Sequence, residues 1–264
     1  MRGKEIWRHL VPLGMLAMLV LAGGRPGLAA DAVEALNQRA TELHGQGKYK
    51  EAVVIAEKAL ALAQRTLEAD DPKTLIVVNN LGFLYQAQGR YSEAEPLLKR
   101  AFEGNERAYG PKDPGTLRSI GNLAGLYADQ GRYSEAEPFY KRALAGYEQV
   151  LGPEHPDTLI SVNNLGLLYV EQGRYGEAEP LYRRALTCRE RALGPEHPDT
   201  LTVVGNLAML YKEQGRYREA EPLLKRALAG NERALGPDHP DTLRTVNNLG
   251  LLYDTQSQIG RAHV

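Results

Sequence analysis

Residues 156–197 read PDTLISVNNLGLLYVEQGRYGEAEPLYRRALTCRERALGPEH. Two apolar stripes run through this stretch. Leu159, Val162, Leu165 and Tyr169 recur at steps of three and four, which is one face of a helix. Gly173 interrupts the pattern. Ala178, Leu181, Tyr182, Ala185 and Leu186 then resume it as a second helix. Gly194-Pro195 ends that helix and Pro198-Asp199-Thr200 opens the next. Proline suits a helix's first turn, and Asp or Thr can accept from its free N–H groups. The stretch therefore predicts two antiparallel helices joined by a tight turn. Gly166, Ala178 and Ala185 are small where the two helices have to approach closely.

The same unit recurs along the chain. The motif Gln-Gly-(Arg/Lys)-Tyr has its glycines at Gly47, Gly89, Gly131, Gly173 and Gly215, each 42 residues after the last. A fixed period of this length predicts an all-α solenoid in which each unit packs only on its neighbours, so the core is a strip. First helices should begin near Pro72, Pro114, Pro156, Pro198 and Pro240. The first unit, Val33–Leu67, is the least typical. It carries Arg39 where the others have Leu, and a loosely packed cap is expected there.

These residues resemble the tetratricopeptide repeat. Leu165-Gly166-x2-Tyr169 followed by Ala178-x3-Tyr182 fits its pattern, as do Leu81-Gly82-x2-Tyr85 and Leu249-Gly250-x2-Tyr253. Leu123-Ala124 and Leu207-Ala208 place alanine at the glycine position. Val78, Ile120, Val162, Val204 and Val246 stand where the family has Trp. The 42-residue period, with its longer second helix and Gly-Pro-x-His-Pro-Asp-Thr connector, is similar to the kinesin light chain type of repeat, which bacterial proteins also carry. The resemblance covers residues 31–256, about five full units and a truncated sixth. It implies a right-handed superhelical solenoid of antiparallel helix pairs.

Composition fits a soluble globular chain, with 43% hydrophobic and 25% charged residues. A net charge of −1 gives no electrostatic footprint for a nucleic acid partner. The amino terminus stands apart. Arg2, Lys4 and Arg8 precede an apolar run from Leu10 to Ala22, and Leu28-Ala29-Ala30 follows. This charged, apolar, small-residue order predicts a signal peptide over residues 1–30, cleaved after Ala29 or Ala30, and a periplasmic or secreted protein. The run falls short of the roughly 20 apolar residues that span a bilayer. At the other end the sixth unit proceeds correctly through Tyr253. Gln256-Ser257-Gln258-Ile259 then replaces the expected Gln-Gly-Arg-Tyr. Gln258 to Val264 corresponds to NAG ATC GGA AGA GCA CAC GTC, which resembles a sequencing adapter, so residues 257–264 are expected to be a non-native tail on a truncated record.

The columns that could carry chemistry have structural readings. His155, His197 and His239 recur beside Glu154, Glu196 and Asp238. Stacked repeats separate equivalent side chains by about 8–10 Å, too far for one zinc ion whose ligands lie at about 2.0–2.3 Å, so the connectors should cap and orient the following helix. Cys188 replaces the Gly104, Gly146 and Gly230 of neighbouring units and reads as a free thiol at a small-residue position. The paired acids Glu93/Glu95, Glu135/Glu137, Glu177/Glu179 and Glu219/Glu221 open second helices, where the helix dipole favours negative charge. No catalytic constellation, metal site or cofactor motif stands out, and the chain reads as a non-enzyme.

Asparagine is the informative column. Asn80, Asn122, Asn164, Asn206 and Asn248 precede the Leu of each first helix. Asn79, Asn163 and Asn247 precede them in alternate units, with Gly121 and Gly205 in the others. The family resemblance implies that this part of the first helix lines a concave groove. An amide both donates and accepts, so such a ladder can hold an extended peptide's backbone. The other reading is that these amides bond neighbouring repeats. The expected function is a protein-interaction scaffold that binds a protein or peptide in the groove, with self-association left open and no membrane role beyond the signal peptide. The rival is the recruiting arm of a larger enzyme, such as a caspase-like peptidase, whose catalytic domain lies downstream.

Overall fold

The computed structural model describes residues 26–262. The charged and apolar parts of the candidate signal segment, residues 1–25, lie outside the described residues. Among those described there are eleven helices and no strand. They are α1 (Pro26–Gly45), α2 (Tyr49–Thr66), α3 (Pro72–Ala87), α4 (Tyr91–Tyr109), α5 (Pro114–Asp129), α6 (Tyr133–Leu151), α7 (Pro156–Glu171), α8 (Tyr175–Leu193), α9 (Pro198–Glu213), α10 (Tyr217–Leu235) and α11 (Pro240–Ala262). The five prolines expected to open first helices do so. None of these helices is long and apolar enough to cross a membrane. The described residues divide into two compact units, the first ending at Gly146 and the second beginning at Tyr147.

The turn inside each pair follows from one glycine and one arginine. At the end of α3 Gly89 sits at φ +71, a left-handed conformation that only glycine adopts without strain. Its N–H donates to the Gln86 carbonyl at 2.8 Å and the Arg90 N–H to the Tyr85 carbonyl at 2.9 Å, so the last carbonyls of α3 are satisfied. Arg90 then lays its guanidinium over the Tyr85 ring, 4.1 Å from the centroid, and donates to both carboxylate oxygens of Glu93. Arg216 repeats this in the second unit over Tyr211 at 3.9 Å, holding Glu219 and reaching Glu179 of the preceding repeat at 2.8 Å. The acids at the start of second helices are therefore clamps on the turn.

Connectors cap the first helices, as expected. Asp71 accepts from the Lys73 N–H at 2.8 Å and Asp113 from the Gly115 N–H at 2.8 Å. In the second unit imidazoles do the same work: Nδ1 of His155, His197 and His239 accepts from the N–H of Asp157, Asp199 and Asp241, each at 3.2 Å. The Thr158, Thr200 and Thr242 hydroxyls donate back to the Gly152, Gly194 and Gly236 carbonyls at 2.8–2.9 Å, closing each connector. Arg191 and Arg233 hold Glu154 and Glu196, the acids beside two of these histidines.

In the first unit the core contains Ala32, Val33, Ala59, Leu62, Ala63 and Val77. This corrects the expectation of a loosely packed cap. Alanines on α1 and α2 let those helices close tightly, and Val33 and Ala63 are fully buried. Arg39 is exposed and pairs with Glu42 at 3.0 Å, so the departure from Leu falls on solvent rather than in the core. In the second unit Val162, Val204, Ala178, Ala185 and Ala220 are all completely buried. A side chain at Gly166 would sit 2.9 Å from the Tyr182 ring, and one at Gly230 would sit 2.4 Å from Leu201. Cys188 takes the equivalent of Gly230 and remains half-buried, with no disulfide.

The helix α11 departs from the pattern. It runs 23 residues where α9 runs 16, because Gln256-Ser257-Gln258-Ile259 supplies no glycine for the left-handed turn. Val246 is 46% exposed and Tyr253 41%, whereas Val204 is 0% and Tyr211 3%.

Two outcomes follow for stability. Tyr169→Ala should cost about 3–5 kcal/mol in denaturant unfolding, the range for a large buried aromatic, and Tyr253→Ala much less; equal losses would contradict the difference in burial. Gly230→Ala should cost about 1–3 kcal/mol, since Leu201 is buried and has little room to withdraw, while Cys188→Ala should cost less than about 1 kcal/mol. Thermal or denaturant melts that rank the two the other way would refute the close-approach reading.

Candidate interaction face

In each compact unit some of the candidate asparagines bond across the seam between successive first helices. In the first unit Asn80 donates to Oδ1 of Asn37 at 3.0 Å, and Asn122 donates to Oδ1 of Asn79 at 3.1 Å. Asn79 is itself buried, 2% exposed, with a long 3.5 Å contact to Asn80. In the second unit Asn206 donates to Oδ1 of Asn163 at 2.8 Å. Asn164 and Asn248 are half-buried and Asn247 is exposed. Each of these three bonds links an asparagine to the residue 43 positions earlier, so the seam bond forms where that earlier residue is itself an asparagine. Where Gly205 stands, Asn248 lacks that acceptor. Asn37 escaped the sequence reading, although stepping back one period from Asn79 arrives at it. Asn122 and Asn206 each retain a carbonyl oxygen and a second N–H beyond the seam bond, because an amide offers two donors and an acceptor.

Second-helix asparagines form a related seam. Asn105 donates to the Ser119 hydroxyl and Asn231 to the Thr245 hydroxyl, both at 3.2 Å and both buried. In these pairs an amide meets a hydroxyl 14 residues later, whereas Ala63 meets a valine at that spacing, Val77, within the apolar core. The pairs Asn105–Ser119 and Asn231–Thr245 thus put a polar contact where the first repeat has an apolar one.

Apolar side chains remain exposed one turn further along the first helices. Phe83 is 40% exposed in the first unit; in the second, Leu167 is 47% and Leu251 44%. In the second unit a cavity of about 360 Å³ opens there. Leu167, Val170 and Met209 supply aliphatic walls, and Tyr175 and Tyr182 line the cavity with them. Asn206, Glu171 and Glu213 complete the lining. Tyr182 is only 1% exposed, and its hydroxyl has no hydrogen-bond partner among the described residues. Burial, with the Glu171 carboxylate second, pushes that hydroxyl above the ordinary phenol range, so it stays protonated. In the first unit the corresponding place is bridged: Gln86, the counterpart of Val170, donates to Asp129, the counterpart of Glu213, at 2.8 Å.

The chain matches the tetratricopeptide repeat model over residues 31–106, 75–149, 121–191, 162–233 and 203–263. No curated protein sequence matches it. Among solved structures it is similar to a Podosopora anserina kinesin light chain-type protein of nearly identical TPR-like repeats, at 27% identity over 77% of this chain and 96% of that one, with a TM-score of 0.64. BtubC (BKLC) from P. vanneervenii shares the fold at 24% identity, covering 86% of this chain and 89% of that one, with a TM-score of 0.68. A Rap protein complexed with competence and sporulation factor shares it at 14% identity, covering 93% and 68%, with a TM-score of 0.71. With consecutive matches running through all the described repeats, the chain belongs to the tetratricopeptide repeat family.

Proposed function

We propose that the chain is a non-catalytic scaffold that binds a protein or peptide partner on the face formed by its first helices. The observation that supports this most is apolar surface on the first helices of each unit, exposed Phe83 in the first and exposed Leu167 with half-buried Met209 in the second, beside amides that retain hydrogen-bonding capacity. Exposed leucine and phenylalanine on an otherwise polar surface are covered when a partner docks, and burying such a side chain contributes about 1.5–3 kcal/mol. The remaining Asn122 and Asn206 donors and acceptors can meet a backbone without reading its sequence. Asn164, Asn247 and Asn248 carry no seam bond and offer whole amides. The Rap protein with competence and sporulation factor supports the reading only as a case of the same fold solved with a bound factor.

Peptides selected from a random displayed library against the full chain test this. Leu167→Asp combined with Met209→Asp should weaken those peptides by about 10-fold or more, with helicity and melting temperature unchanged. Peptides that bind the double variant as tightly as the parent would refute the assignment of the face.

A further inference from the structure

The cavity of the second unit has a composition that selects a ligand. We propose that it binds the cationic side chain of a lysine or arginine presented by an extended peptide. This rests on the reading that the first-helix face holds a peptide or protein chain, and it adds what the anchoring residue must be.

The walls match such a side chain along its length. Leu167, Val170 and Met209 provide an aliphatic lining for a three- or four-carbon stem. Glu171 and Glu213, in the same lining, provide two carboxylates for the charged head. Glu171 is exposed and makes no ion pair among the described residues. Glu213 has one neighbouring cation, Lys212, at 3.2 Å, which leaves its second oxygen to accept. The hydroxyl of Tyr182, which also lines this cavity and has no partner among the described residues, is a further acceptor. An acidic side chain would be repelled by both carboxylates. A wholly apolar one would fill the walls and leave the Tyr182 hydroxyl without a partner.

The first unit acts as an internal control. There Ala87 replaces Glu171 and Gly125 replaces Met209, while Gln86 ties up Asp129. The same fold thus lacks one acid and the aliphatic walls of Val170 and Met209, and its remaining acid is occupied. The pairing of aliphatic walls with two carboxylates belongs to the second unit and is a matter of side chains, not of the repeat.

The test uses the full chain with methyl-labelled Leu and Met and four capped octapeptides. They share one neutral host sequence and carry lysine, arginine, norleucine or glutamate at the central position. Lysine and arginine peptides should shift the Leu167 and Met209 methyl resonances and bind about 10-fold tighter than the norleucine peptide, with the glutamate peptide weakest. In Glu171→Gln combined with Glu213→Gln, both exposed positions, the lysine and norleucine peptides should bind alike while the norleucine affinity stays within about 2-fold. Binding without discrimination, or discrimination that survives the double variant, overturns the cationic anchor and leaves peptide binding in place. Absence of any methyl shift with all four peptides overturns both.

Discussion

How closely the two helices of a repeat can approach governs everything else in this chain. Gly166 against the Tyr182 ring, Gly230 against Leu201 and the fully buried Ala178, Ala185 and Ala220 leave no space for a larger group. Dense packing of this kind fixes where each second helix lies on its first. With that distance set, the opposite face of the first helix is free of packing duties, and side chains there can vary without disturbing the fold. Leu167 and Met209 are examples of that freedom, and so is the exchange of Val170 for Gln86 between the two units.

Between repeats the molecule relies on polar contacts that cross from one period to the next. Asn206 reaches Asn163, Arg216 reaches Glu179, and Arg191 and Arg233 reach Glu154 and Glu196. The neutral amide and hydroxyl pairs are the buried ones, as at Asn231 and Thr245, whereas the arginine–carboxylate pairs are more exposed. That division is physically sensible. An exposed ion pair contributes about 1 kcal/mol or less, while an unpartnered buried amide costs more than its bond contributes. Register between repeats is therefore set chiefly by the buried amides, and the ion pairs add to it.

Much of this was legible in the residues. The 42-residue period, the helix starts at Pro72 to Pro240 and the close approach at Gly166 all follow from spacing and from the sterics of glycine and proline. The connectors' capping role was also readable, because a helix start needs an acceptor and His155 stands where Asp71 and Asp113 do. Asn37 and the seam bonds were harder, since the bonded residues lie 43 apart and a one-residue offset from the period is visible only in three dimensions. The cavity was less legible still. It arises from Leu167, Val170, Met209 and Glu213 on two helices, and no single column of the repeat announces it. The packed first repeat escaped because Arg39 looked like a core defect when its side chain in fact faces solvent.

On the proposed function, partner contact falls on the first helices, and the second helices and connectors are structural. Hydrogen–deuterium exchange of the full chain, alone and saturated with a peptide selected against it, addresses that division directly. Exchange should slow in the last two turns of α7 and α9, around Leu167 to Glu171 and Met209 to Glu213, with α8 and α10 unchanged. Protection confined to the connectors at residues 152–156 and 194–198, or to α8, would contradict it.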